Sequence, residues 1–237
     1  MEGMFSMEWV MALGSITFLN ILLSGDNAIL IALACKNLPD KQKFKAMMIG
    51  GLAAVLIRVV LTLFATSLLA IPYFEFIGGL ALLYIAVNLL TDHGDGDGGS
   101  DKSRSTTLSS AIKTILIADL IMSIDNILGL AGVANTVSQG QWSLIICGLL
   151  ISIPIVLFGA QIFMLIIQRF SFIIYLGAGI LAFTAGKMVV MDHALGVYFA
   201  PVAGFVEGIL VLLVLTIGWY INRKNALAYQ KENIDDK

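Results

Sequence analysis

Two polar clusters of nearly matching composition lie 99 residues apart inside long apolar stretches: Asn20-x3-Ser24-Gly25-Asp26-Asn27 and Asp119-x3-Ser123-Ile124-Asp125-Asn126. They offer carboxylate, amide and hydroxyl oxygens, with no Cys or His beside them. Such oxygen sets suit Mg, Ca or Mn rather than Zn or Cu. Asp26 and Asp125 can neutralise a divalent cation between them, and Asn27 and Asn126 can add neutral oxygens. Asp119 supplies a further charge where the first cluster has Asn20, and this mismatch points to one proton-titratable acid. Met122, one turn before Asp125, offers a thioether that favours a transition metal, although filling a gap between helices is the commoner use of a Met.

The surroundings make these residues costly. A charged side chain at a bilayer centre costs about 2.5 to 3.5 kcal/mol on insertion scales, so an ionisable residue in a span marks a functional site by default. On a helix turning about 100 degrees per residue, positions 20 and 27 fall within about 20 degrees of each other, as do 119 and 126. Ser24 and Ser123 lie near the same stripes. Asp26 and Asp125 project about 100 degrees away from their Asn neighbours, so a regular helix cannot aim both side chains at one ion. Local unwinding would solve this. Gly25 favours such a break in the first cluster, where freed carbonyls can join the ligands, and Ile124 disfavours it in the second.

The elements that carry the clusters follow from composition. Of 237 residues, 59% are hydrophobic and 13% charged, against about a quarter charged in soluble domains. The chain therefore reads as an integral membrane protein. Apolar runs at 10–34, 45–70, 75–91, 111–133, 143–168, 171–191 and 203–221 are each long enough to cross, and Pro154 predicts a kink in the fifth. The first residues lack the positive stretch of a secretory signal, so the first run is expected to be a retained helix. Twelve of the fourteen basic residues fall in the first, third and fifth loops and the tail. The positive-inside rule then puts the N-terminus outside and the C-terminus in the cytoplasm of a plasma-membrane protein. Arg58 and Lys187 are left within spans. Arg58 is the expected partner of Asp26 or Asp125, and Lys187 is expected to snorkel or to act as a counter-ion. Cys35 and Cys147, near opposite ends of the bundle, read as packing residues.

The 99-residue offset also relates Gly78 to Gly177, Leu82 to Leu181, Ala86 to Ala185 and Tyr84 to the similar Phe183. Three spans is an odd number, so the second copy enters from the opposite side. The expected fold is an all-α, polytopic membrane bundle of seven transmembrane helices: a 3+3 inverted repeat plus one extra, peripheral helix. Its parts are a first three-helix repeat at 1–92, a Gly/Asp-rich linker at 93–110, the inverted repeat at 111–193, and the seventh helix with its tail at 194–237. Inverted repeats place a substrate site near the midplane, where rocking of one half gives alternating access.

Other readings compete. Ser and Asn can simply hydrogen-bond helices together. Glu207, Glu75, Asp192 and His193 read as exposed charges or as an exit path. The stretch Asp92–Asp101 lacks the Glu that would end a Ca loop and reads as a solvated linker. An aspartyl dyad is disfavoured because G-x-G-D is absent, with Leu23 preceding Ser24-Gly25-Asp26. No nucleotide-binding motif is present, and neither enzyme activity nor a nucleic-acid partner is expected.

With Ser24-Gly-Asp-Asn27 and Ser123-Ile-Asp-Asn126 in two inverted three-helix units, the chain resembles the TerC integral membrane family over nearly its whole length. The resemblance implies manganese efflux, with the family's acidic motif residues falling on Asp26, Asn27, Asp119, Asp125 and Asn126. Asn20 departs from the acid expected there. The combined expectation is a secondary transporter that exports divalent metal, Mn2+ foremost, coupled to protons, with Asn20, Ser24, Ser123, Arg58, Lys187 and Met122 in support. No permanent cofactor is expected; Mn2+ is the cargo. The expected partners are the lipid bilayer, the divalent ion and a further copy of the chain. The alternative is a membrane interaction protein that assists metal or tellurite resistance or exported-enzyme complexes.

Overall fold

A computed structural model describes residues 6–22, 24–69, 71–92, 107–134 and 140–235, without the side chains of 63–69, 124, 125, 127–132, 134, 200 and 228–235. The expected linker from His93 to residue 106 lies outside the described residues, as does most of the turn before Gly140. The described residues are helical apart from short turns. In order they form α1 (Met7–Leu22), α2 (Gly25–Cys35), α3 (Asp40–Leu69), α4 (Phe74–Thr91), α5 (Leu108–Ala134), α6 (Gln141–Arg169), α7 (Phe172–Met191), α8 (Gly196–Phe199), a 3-10 turn and α9 (Ala203–Asp235).

Hydropathy accounts for these elements. Among the described residues α3, α4, α6, α7 and α9 are long and apolar enough to cross a membrane, and α1 with α2, bent by 44°, has the length and composition for a sixth if the pair is taken as one span. The first expected span is thus two helices. α5 is also long, at 27 residues, and carries Lys113, Asp119 and Asp125. Pro154 lacks an N–H, yet α6 continues through it. Nearby, Ser152 Oγ donates to the Leu149 carbonyl at 2.7 Å.

Packing is selective. α3 lies mainly against α5, α6 against α1 and α2, and α4 against α7, while α9 covers α7 and α4. Lipid tails are as apolar as Leu, so close backbone approach does much of the work of helix association in a bilayer. At the α4–α7 contact a Cβ on Gly79 would sit 2.8 Å from the Ala185 carbonyl oxygen, which a glycine avoids. Outside the core, Leu56, Leu150, Phe158, Leu212 and Trp219 turn outward.

The ends of α4 show how the bundle is tied. Its last carbonyls have no donors within the helix. Lys36 Nζ donates to the Leu89 carbonyl at 2.5 Å, Asn37 Nδ2 to that of Asp92 at 2.9 Å, and Asn222 Nδ2 to that of Leu90 at 3.3 Å. Burial at this end pushes the Lys36 ammonium down to about 8, with Asp92 opposing the shift. Asn222 Nδ2 also donates to Tyr175 Oη at 3.0 Å. The turn after α2, the end of α4, the start of α7 and the middle of α9 therefore meet at one end.

At the other end Asp192 corrects the expectation of an exposed charge. It is 2% exposed. Its Oδ2 accepts from the Phe76 N–H in the first turn of α4 at 3.2 Å, and its Oδ1 accepts from the Ala194 and Leu195 N–H groups at 3.0 Å each. A carboxylate at a helix N-terminus satisfies orphan donors and complements the helix dipole. Asp192→Ala is expected to cost about 1–2 kcal/mol, seen as a lower thermal midpoint in detergent. An unchanged midpoint would contradict this role. His193 is exposed, and Glu207 packs on Gly186 of α7, where an added Cβ would meet the Glu207 Cα at 3.1 Å.

Candidate functional site

The polar residues of the first cluster meet those of the second through Arg58. Its position in the middle of α3, the helix that lies along α5, brings a permanent cation to Asp119. Arg58 Nη2 donates to Asp119 Oδ1 at 2.6 Å, Nε to Ser123 Oγ at 3.0 Å, and Nη1 to Asn20 Oδ1 at 3.4 Å. Ser123, one turn beyond Asp119 on the same face, donates to Asp119 Oδ2 at 3.1 Å. On the far side Asn20 Nδ2 donates to Ser152 Oγ at 2.6 Å. All five residues are buried, so one polar chain crosses α6, α1, α3 and α5.

Beside this chain is a cavity of about 30 Å3 lined by Ser24, Asn27, Gly51, Arg58, Asp119 and Ser152, with apolar residues of α2, α3 and α6. Such a space admits a water or a small ion. Ser24 Oγ and both side-chain polar atoms of Asn27 are buried without a hydrogen-bond partner. Each such atom costs about 1–3 kcal/mol when left unsatisfied. The matching Ser123 is engaged by Arg58 and Asp119, whereas the polar atoms of Ser24 and Asn27 are buried without a partner beside the cavity that these two residues line.

The break in the first span does not do what the sequence suggested. It falls before Gly25, so Asp26 and Asn27 both sit in regular helix at the start of α2, and their 100-degree separation persists. Asn27 turns to the cavity. Asp26 is half-buried and turns elsewhere: its Oδ1 accepts from the Asn27 N–H at 2.8 Å and its Oδ2 from Thr184 Oγ1 of α7 at 3.4 Å. In the second cluster α5 runs unbroken past Ile124. The Asp125 side chain lies outside the described residues, and Asn126 is buried.

Several assignments change accordingly. Arg58 pairs with Asp119 and makes no hydrogen bond to the expected Asp26, whose oxygens accept from Asn27 and Thr184; the other expected partner, the Asp125 side chain, lies outside the described residues. Asp119 has both oxygens engaged, Oδ1 by Arg58 and Oδ2 by Ser123. Met122 is 2% exposed and packs in the main core, which matches the gap-filling reading. Lys187 is exposed, with its Nζ 4.9 Å from the centroid of the Phe183 ring. Sequence reasoning does not single out Ser152; a hydroxyl two residues before a proline in an apolar helix is the available signal. Among the described residues no three His, Cys, Asp or Glu side chains come together as a ready metal cage.

Comparison with known proteins places this arrangement. The chain is 38% identical over 206 residues to the "Uncharacterized membrane protein YjbE" of Bacillus subtilis, covering 87% of this chain and 91% of that protein. It is 25% identical to the "UPF0053 inner membrane protein YgdQ" of Escherichia coli K12, over 64% of this chain and 68% of that one. It is 27% identical to the "Uncharacterized membrane protein YceF" of Bacillus subtilis, over 66% and 62%. No solved structure matches. The model of the TerC integral membrane protein family matches residues 5–226. With its multiple membrane-length helices and a family match over nearly its full length, the chain is a multi-pass integral membrane protein that belongs to the TerC family.

Proposed function

We propose that the chain is a secondary transporter that exports divalent cations, Mn2+ foremost, through the cavity between α2, α3, α5 and α6. The observation that carries this reading is the set of orphaned buried atoms on Ser24 and Asn27 beside the Asp119 carboxylate. Oxygen ligands of this kind suit a hard cation, and unsatisfied or ionisable polar groups held inside a bilayer protein mark a functional site by default. Asp26, on the flank of α2 that faces α7, is a second station on the same path. Protons compete for these carboxylates and supply the coupling.

The packing is compatible with a 3+3 inverted repeat, with α5 as a further span. Exchanging α1–α2 with α5, α3 with α6, and α4 with α7 maps the contact of α3 on α5 onto that of α6 on α1–α2 and leaves α4–α7 unchanged. The same exchange maps the Asp119–Arg58 pair onto the Asn20–Ser152 pair, element for element. The positive-inside count favours an outer N-terminus and a cytoplasmic C-terminus.

The alternative, a membrane interaction protein, uses the same hydrogen-bond chain as interhelical glue but has no use for unsatisfied atoms. Purified full-length chain in liposomes separates the two. Mn2+ is expected to cross faster than Ca2+, Mg2+ or Zn2+ and to accelerate when a proton gradient opposes it. Flux no greater than in protein-free liposomes for all four ions rejects transport.

A further inference from the structure

Asp119 is both the carboxylate on the cavity wall and the partner of Arg58. Its Oδ1 accepts from the guanidinium at 2.6 Å, so a cation bound on that oxygen would sit beside the positive charge of the arginine. A guanidinium does not deprotonate in proteins. Its charge can leave Asp119 only by moving. A second acceptor is already within reach, since Nη1 lies 3.4 Å from the neutral Asn20 Oδ1. Of the two positions related by the 99-residue offset, one is an acid and one an amide, so Arg58 has a strong anchor and a weak one.

We propose that Arg58 is a tethered competitor for the transported cation: it neutralises Asp119 in the empty site and must swing toward Asn20 when the cation binds. This rests on the transport reading and adds to it the device that keeps the site charge-compensated in both states. An empty site carrying Asp119 alone would expose a bare carboxylate to the bilayer interior, whereas a loaded site with Arg58 still on Asp119 would place like charges side by side. Exchange avoids both. The asymmetry between Asn20 and Asp119 then serves to make the exchange reversible: an acid at both positions would hold the arginine whichever way it turned.

Mn2+ binding to the purified full-length chain tests this. Arg58→Gln removes the competitor and is expected to tighten Mn2+ binding by about tenfold or more, equivalent to about 1.4 kcal/mol. Arg58→Lys keeps the charge but lacks the planar fork that contacts three side chains at once, and is expected to tighten binding by a smaller factor. Arg58→Gln combined with Asp119→Asn should lose the gain, because Arg58 acts through Asp119. A purely structural arginine predicts weaker binding in both single variants. Affinity equal to or below wild type in Arg58→Gln overturns the proposal, and if that variant does not fold, the same result in Arg58→Lys does so. Wild-type flux with unchanged affinities in the variants defeats the exchange alone, whereas absence of wild-type flux defeats the transport reading.

Discussion

Asp119→Leu is expected to be the most destabilising single change at the site, lowering stability by about 3–5 kcal/mol. Removing one partner of a buried ion pair leaves the other charge uncompensated, and that penalty, not the net worth of the pair, sets the size of the loss. Arg58 is 4% exposed and, among the described residues, would retain only Ser123 and Asn20, both neutral, as side-chain hydrogen-bond acceptors. The same reasoning gives a rescue. Asp119→Leu with Arg58→Met replaces the pair by apolar groups, and such replacements are often neutral or stabilising. Thermal unfolding in detergent should therefore show the double variant more stable than Asp119→Leu alone by most of the loss. A double variant as unstable as the sum of its single changes would mean that the pair does not act as a unit.

How much of this was legible in the sequence depends on the range of the interaction. Hydropathy and the 99-residue offset locate the spans and both clusters because they report local cost: an Asp or Asn in an apolar run is conspicuous wherever its partner sits. The choice of partner is different. Arg58 and Asp119 are separated by 61 residues, and their meeting depends on the rotation of α3 against α5, set by Gly50 against Ile115 and neighbouring contacts that no periodicity displays. The break shows a further limit. Gly25 suggests unwinding, but α2 begins at Gly25 itself and so keeps Asp26 and Asn27 in one regular turn, and their aims diverge as helical geometry requires. Asp192 was misread because charge beside a turn resembles a solvated loop, whereas its acceptor role requires α4 and the end of α7 to be neighbours. The orphaned atoms were not legible at all, since a missing partner is a property of three dimensions.

Those atoms make Asn27→Leu the sharpest separation of a site from glue. As an interhelical fastener Asn27 should stabilise the bundle, and its loss should weaken it. Neither side-chain atom has a partner, however, and replacing a buried unsatisfied amide by an apolar group of similar size removes a desolvation penalty of about 1–3 kcal/mol. The variant is therefore expected to unfold at the same or a higher temperature than the wild type. If the amide oxygen is a ligand for the cargo, Mn2+ flux in liposomes should nevertheless fall by about tenfold or more, the size of change seen when groups that support a metal site are removed. Gain of stability with loss of transport is the trade expected where a protein keeps an unfavourable group for function. A lower melting temperature with full flux would instead make Asn27 a structural residue and move the search for the cation's ligands to Asp26 and the face of α2 that meets α7.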